Sequence, residues 1–152
     1  KSLLRKPEAA SSLKELAKGE FKTVIPEVDA IEPKDVTRIV ACSGKVYYDL
    51  IAERTKLNEN STAIIRVEQL YPFPAKEIAD AINQHPNATL LWVQDEPANQ
   101  GPWPFIFENA QGILEGRTLR RVSRRATASP ATGSSHLHEE EQHALIMEAF
   151  TR

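Results

Sequence analysis

Short apolar runs rich in β-branched residues recur along the chain, each followed by a stretch with helical periodicity, and this alternation constrains the fold more than any other feature. Val36, Ile39, Val40 and Ala41 make a run too short for a buried helix and long enough for a buried strand. Past Ser43-Gly44, the apolar positions Val46, Leu50 and Ile51 recur at helical spacing, predicting a helix to about Leu57. Thr62–Leu70, with Ile64, Ile65 and Val67, is the next strand. Tyr71-Pro72-Phe73-Pro74 turns the chain, and Pro74 suits a first helical position because its missing N–H would have no partner there. Ile78, Ala79 and Ile82 give that helix an apolar face. Thr89–Gln94 buries Leu90, Leu91, Trp92 and Val93 as a strand. Trp103–Leu114 reads as a helix, Leu119–Arg125 as a strand, and a last helix runs from a Ser134 or Ser135 cap to about Phe150, with Glu139, Glu140 and Glu141 near its positive end. Such alternation predicts a three-layer α/β domain: a mainly parallel sheet with helices on both faces.

The first 20 residues differ in character. Lys1, Arg5, Lys6, Lys14 and Lys18 dominate, Pro7 interrupts, and a short helix over Ala9–Lys18 ends at Gly19. Residues 1–20 are a connector and 21–152 the α/β domain, with Phe21–Ile25 as a short leading strand. The absence of a starting Met suggests an excised piece of a larger chain. Hydrophobic residues are 41% and charged residues 26% of 152, enough for one real core. A net charge of −2 argues against a nucleic-acid or anionic-membrane binder. No apolar run approaches the roughly 20 residues of a membrane helix. Cys42, the single cysteine, excludes an internal disulfide and fits a small buried filler at a strand end.

Four features carry possible chemistry. The strand–helix turn Ser43-Gly44-Lys45 offers free N–H groups and a cation to an anion; the plainer reading is a tight turn at Gly44 and a helix cap at Ser43. The segment from Gln94 to Pro104 leaves the carboxyl end of a strand, where open α/β sheets place their sites. Asp95 and Glu96 suit acid/base work there, and Glu96, Asn99, Gln100 and Trp103 equally suit an interface or a stiff structural loop. Arg120, Arg121, Arg124 and Arg125 can clamp phosphates or pair with acids, with alternation placing Arg120 and Arg124 on one face. His136, His138 and His143 lie near Glu139 and Glu140, without the spacing of a metal site, and read as a solvated face. If an effector phosphate binds, Ser43, Lys45, Arg66 and Arg124 are the residues expected to hold it. The alternative gives these arginines to Glu68, Asp95 or Glu96.

Three stretches occur together in one known family: Arg66-Val67-Glu68-Gln69-Leu70-Tyr71-Pro72-Phe73-Pro74, Gln94-Asp95-Glu96-Pro97-Ala98-Asn99-Gln100-Gly101-Pro102-Trp103, and Ser123-Arg124-Arg125-Ala126-Thr127-Ala128-Ser129-Pro130-Ala131-Thr132-Gly133-Ser134. With Lys1-Ser2-Leu3-Leu4-Arg5, Ser43-Gly44-Lys45-Val46-Tyr47-Tyr48 and Glu141-Gln142, they span nearly the whole chain in order. The chain resembles the C-terminal domain of the first components of 2-oxoglutarate dehydrogenase complexes. Its one departure is Asp95, where many relatives carry a second glutamate; the acid is kept.

The resemblance implies a fold like the third domain of transketolase. It implies a full subunit that decarboxylates 2-oxoglutarate on thiamine diphosphate with magnesium and passes the succinyl group to the lipoyl arm of a succinyltransferase component. It implies a homodimer in the bacterial cytoplasm, or in the mitochondrial matrix of a eukaryote. The family's diphosphate motif, a GDG followed by an Asn-Asn, is missing from this sequence. Catalytic residues and cofactor sites are therefore expected elsewhere, leaving this domain assembly, dimer contact and the binding of an effector such as acetyl-coenzyme A or a nucleotide. A free-standing effector-binding module and a self-standing α/β enzyme using Asp95 or Glu96 are the competing classes.

Overall fold

A computed structural model describes residues 3–151; Lys1 and Ser2, quoted above for the resemblance, lie outside the described residues. Five strands form one sheet: β1 (Val24–Ile25), β2 (Arg38–Cys42), β3 (Thr62–Val67), β4 (Thr89–Pro97) and β5 (Leu119–Arg124), in the order β1-β3-β2-β4-β5. All pairings are parallel except that of β1 with β3. The apolar runs around residues 36–41, 62–70 and 89–94 supply the three central strands, β2, β3 and β4. β2 lies between β3 and β4, and its Val40 aligns with Ile64 on one side and Leu91 on the other. A strand flanked and covered on both sides must be apolar throughout, which is why these runs lack polar alternation.

Successive side chains point to opposite faces and divide the core in two. Ile39, Ala63, Ile65, Val67, Leu90 and Trp92 pack under α3 (Ala75–Ile82) and α4 (Trp103–Ala110). Val40, Cys42, Ile64, Leu91, Val93 and Val122 pack under α2 (Val46–Leu57) and α5 (Ser135–Thr151). The three-layer expectation holds.

Local boundaries moved for identifiable reasons. The connector helix, α1, is Leu13–Lys18 rather than Ala9–Lys18, because Ser12 forms a capping box: its Oγ accepts from the Glu15 N–H at 3.2 Å, and the Glu15 carboxylate accepts from the Ser12 N–H at 2.9 Å. Gly19 ends it with an ordinary negative φ; a Cβ there would lie 2.3 Å from the Glu15 carbonyl oxygen, so close approach, not left-handedness, demands glycine. The leading strand shrinks to Val24–Ile25, and the β3 strand stops at Val67. Pro74 is the cap before α3, not its first helical residue, and Ala81 rather than Ala79 joins Ile78 and Ile82 in the core. The helix after the Gln94 loop ends at Ala110 and continues as a 3-10 turn, Gln111–Ile113. β4 runs on to Pro97 through a register shift against β5. The Glu139–Glu141 triplet falls beyond the first turn of α5, outside the range over which the helix dipole acts.

One ion pair organises the β1 edge. Arg54 lies on the core stripe of α2, one turn past Leu50, and is 4% exposed. Its guanidinium donates to both Glu27 oxygens, at 2.5 and 3.1 Å, to Asp29, and to the Thr62 carbonyl at 3.0 Å. Glu27 also accepts from the Ile64 N–H at 2.7 Å, so its side chain extends the pairing of β3 past the end of β1.

Candidate functional site

Parallel strands present their carboxyl ends along one edge, and the strand order reverses direction beside β2, between it and β4. The turn after β2 and the loop after β4 flank that point, and the structure fills it with two glutamine-centred networks.

Gln142 of α5 reaches the first. Its Nε2 donates to Asp49 at 3.0 Å and to Asp95 at 2.7 Å, while its Oε1 accepts from Arg124 at 2.8 Å. Lys45 donates to the same Asp49 oxygen at 2.6 Å. Two of the four proposed phosphate ligands, Lys45 and Arg124, are thereby joined through Asp49 and Gln142. Arg124 is 9% exposed, its Nε has no hydrogen-bond partner, and the Glu141 carboxylate is 3.9 Å away. Arg120, expected on the same face, is exposed, whereas Arg124 is held against α5 by Gln142.

Arg66 lies apart from that network. It stacks on Tyr47, its guanidinium carbon 4.4 Å from the ring centroid, and pairs with Glu68 at 2.9 Å. Burial alone would lower its pKa; Glu68 and the tyrosines outweigh that and raise it. For the phenol of Tyr47 burial acts in the other direction and pushes the pKa up. Arg66 walls a cavity of about 420 Å³ with Lys6, Gly44 and Tyr48, whereas Arg124 walls a different one with Arg125, Thr127 and Ser134. Ser43 does not cap α2: the residue at the cap is Lys45, in helical conformation and with no side-chain bond to the free N–H groups of the helix, and Gly44 takes the left-handed turn at φ +75°.

Gln94 centres the second network. Its Oε1 accepts from the Trp92 indole N–H and from the Trp103 backbone N–H, both at 3.0 Å. Its Nε2 donates to the carbonyls of Glu96, Pro97 and Gln100 at 3.3, 3.2 and 2.8 Å. Asn99 and Gln100 donate to the Thr127 carbonyl, each at 3.0 Å, tying the loop to the chain beyond β5. Glu96 is exposed, and Gly101 at φ +71° sits so close that a Cβ would meet Glu96 Cβ at 2.8 Å. Trp103 packs on Phe107 and carries Arg121 over its ring at 5.4 Å. The loop is thus held rigid by its own polar groups.

Sequence reasoning placed Asp95, Glu96, Asn99, Gln100 and Trp103 in this loop but did not single out Gln94 or Gln142. Gln94 had a signal: a polar residue closing the apolar run Leu90-Leu91-Trp92-Val93. Cys42 is fully buried and its thiol pKa is pushed up by desolvation, as a filler requires. His136 stands 3.5 Å from Glu140, one turn apart on an exposed face. Among the described residues no three His, Cys, Asp or Glu side chains stand where they could hold a metal ion, and no helix is long and apolar enough to cross a membrane.

Residues 10–150 match the model of the family described as 2-oxoglutarate dehydrogenase C-terminal. The whole chain aligns at 47% identity with 16% of the length of the 2-oxoglutarate dehydrogenase E1 component of Cupriavidus necator. A protein of the same description from Haemophilus influenzae is 47% identical over 99% of this chain and 16% of its own length. The multifunctional 2-oxoglutarate metabolism enzyme of a Mycobacterium species is 38% identical over 99% of this chain and 12% of its own length. The chain therefore spans about a sixth of the length of the relatives it matches first, and it belongs to the family of C-terminal domains of 2-oxoglutarate dehydrogenase E1 components.

Proposed function

We propose that this domain serves as a structural unit of a subunit that decarboxylates 2-oxoglutarate on thiamine diphosphate and magnesium and transfers the succinyl group to the lipoyl arm of a succinyltransferase component, within a homodimer. The observation that carries the reading is the state of the carboxyl edge. Most of the groups there that suit catalysis are bonded to one another, Asp49 and Asp95 to Gln142, Lys45 to Asp49 and Arg66 to Glu68, while Glu96 is exposed to water. A base or nucleophile needs a free, aimed lone pair, and a magnesium–diphosphate site needs convergent oxygen ligands. The described residues do not fit that cofactor, so its binding and its chemistry fall to the rest of the subunit.

The test compares the 152-residue chain with the full-length subunit. Both are assayed with 2-oxoglutarate, thiamine diphosphate, magnesium and an artificial electron acceptor. The full-length subunit is expected to turn over and the short chain to show only background. Turnover by the short chain, or a full-length subunit that uses another 2-oxo acid and ignores 2-oxoglutarate, would refute the proposal.

A further inference from the structure

The carboxyl edge that spends its polar groups internally leaves large apolar ones in water. Tyr71, just past the end of β3, is 82% exposed and meets Phe105 edge-on, centroids 6.5 Å apart. Phe107 on α4 is 45% exposed. The connector reaches the same side. Leu3, Leu4 and Lys6 wall the cavity with Gly44 and Arg66, and the Thr23 carbonyl accepts from the Glu68 and Gln69 N–H groups beyond β3. Along it, Leu4, Leu13, Leu16 and Phe21 are 88%, 85%, 77% and 70% exposed.

α1 makes the case sharper. It has six residues, none of them buried. A helix that short is unstable alone in water, since its nucleation cost exceeds what its few hydrogen bonds return. The capping box offsets this by only about 1 kcal/mol. A defined helix with Leu13 and Leu16 on one side and nothing beneath them requires a surface. Isolated exposed apolar residues are ordinary; four large ones on a connector anchored at both ends to this edge, with Tyr71 exposed on the edge itself, mark an interaction site.

We propose that this edge docks against the N-terminal bulk of the same E1 polypeptide, with Leu13, Leu16, Phe21 and Tyr71 as its buried anchors. Relatives extend this C-terminal match to about six times its length, so a covering of that size is available within the same polypeptide. The edge where open α/β sheets usually take a small ligand is here a protein–protein contact. The inference rests on the chain being a domain of that subunit, and the experiment separates the two.

Hydroxyl-radical footprinting is run on the native full-length subunit and on its denatured form. Relative to the denatured form, Leu16, Phe21 and Tyr71 should lose modification to the degree shown by Phe150, which the domain itself buries. Leu57, 42% exposed at the opposite edge, should retain it. Protection must not change on dilution; protection that disappears as the dimer dissociates would assign the edge to a second copy and overturn the proposal. In the full-length Leu16→Asp/Tyr71→Asp variant, Phe21 should become modified while Phe150 stays protected, which global unfolding would not allow. Native modification of Leu16, Phe21 and Tyr71 at the denatured level overturns the docking. Decarboxylation by the same sample is scored separately: a protected edge in an inactive subunit sinks the functional reading alone, and an exposed edge in an active one sinks the docking alone.

Discussion

Replacing Glu27 with Ala tests the ion pair that joins α2 to the β1 edge. The change removes both acceptors at 2.5 and 3.1 Å from a guanidinium that is 4% exposed, and strands the Ile64 N–H. Asp29 remains, but its side chain is 60% exposed and water screens it. Losing one partner of a buried pair costs about 3–5 kcal/mol, because the remaining charge stays desolvated. At about 2–4 °C per kcal/mol for a domain of this size, the melting temperature falls by roughly 6–20 °C. Glu27→Gln keeps the shape and one acceptor, so its loss should be smaller. Burial alone would raise the Glu27 carboxyl, but hydrogen bonds from Arg54 and from the Ile64 and Asp29 N–H groups outweigh it and hold the pKa below the ordinary value. A depressed folded pKa stabilises above the unfolded value of about 4.3 and is lost as pH falls through the folded value. The wild-type advantage over Glu27→Gln should therefore be full at pH 7 and shrink below about pH 4. Urea melts at both pH values read the difference. A cost of Glu27→Ala under about 1 kcal/mol, or an advantage that does not change with pH, refutes the reasoning.

Ile65, 1% exposed in the central strand β3, should cost about 2–5 kcal/mol when truncated to Ala, measured by denaturant melts; a loss below about 0.5 kcal/mol would remove it from the core. Gln142→Ala leaves Asp49, Asp95 and Arg124 without their shared partner and should destabilise by about 1–3 kcal/mol, whereas an unchanged urea midpoint would mean that water replaces the amide at no cost.

How much was legible in the sequence depended on the distance over which each feature is decided. The strands β2, β3 and β4 were readable because burial on both faces forces a continuous apolar run, visible in five or six residues. The Arg66–Glu68 pair was legible as one of the alternatives named for that arginine, its partner lying two residues along the chain. Arg54 had a local signal that went unread, since the spacing Val46, Leu50, Arg54 puts an arginine on the buried stripe of α2. Its partner Glu27 had none.

The candidate site was settled by tertiary structure. Gln142 is 93 residues from Asp49 and 47 from Asp95, and no spacing rule connects them. Lys45 and Arg124 were legible as charges suited to a phosphate, but not their link through Asp49 and Gln142, which leaves the Arg124 Nε without a hydrogen-bond partner. By itself the sequence determined the α/β class, the parallel core and the family, all written in local patterning and short motifs. Only the packing of α5 on the sheet brought Gln142 to Arg124, Asp49 and Asp95 and so joined those charges to one another. Hydrogen bonding and burial depend on what the fold brings within 3 Å, and that distance has no fixed counterpart along the chain.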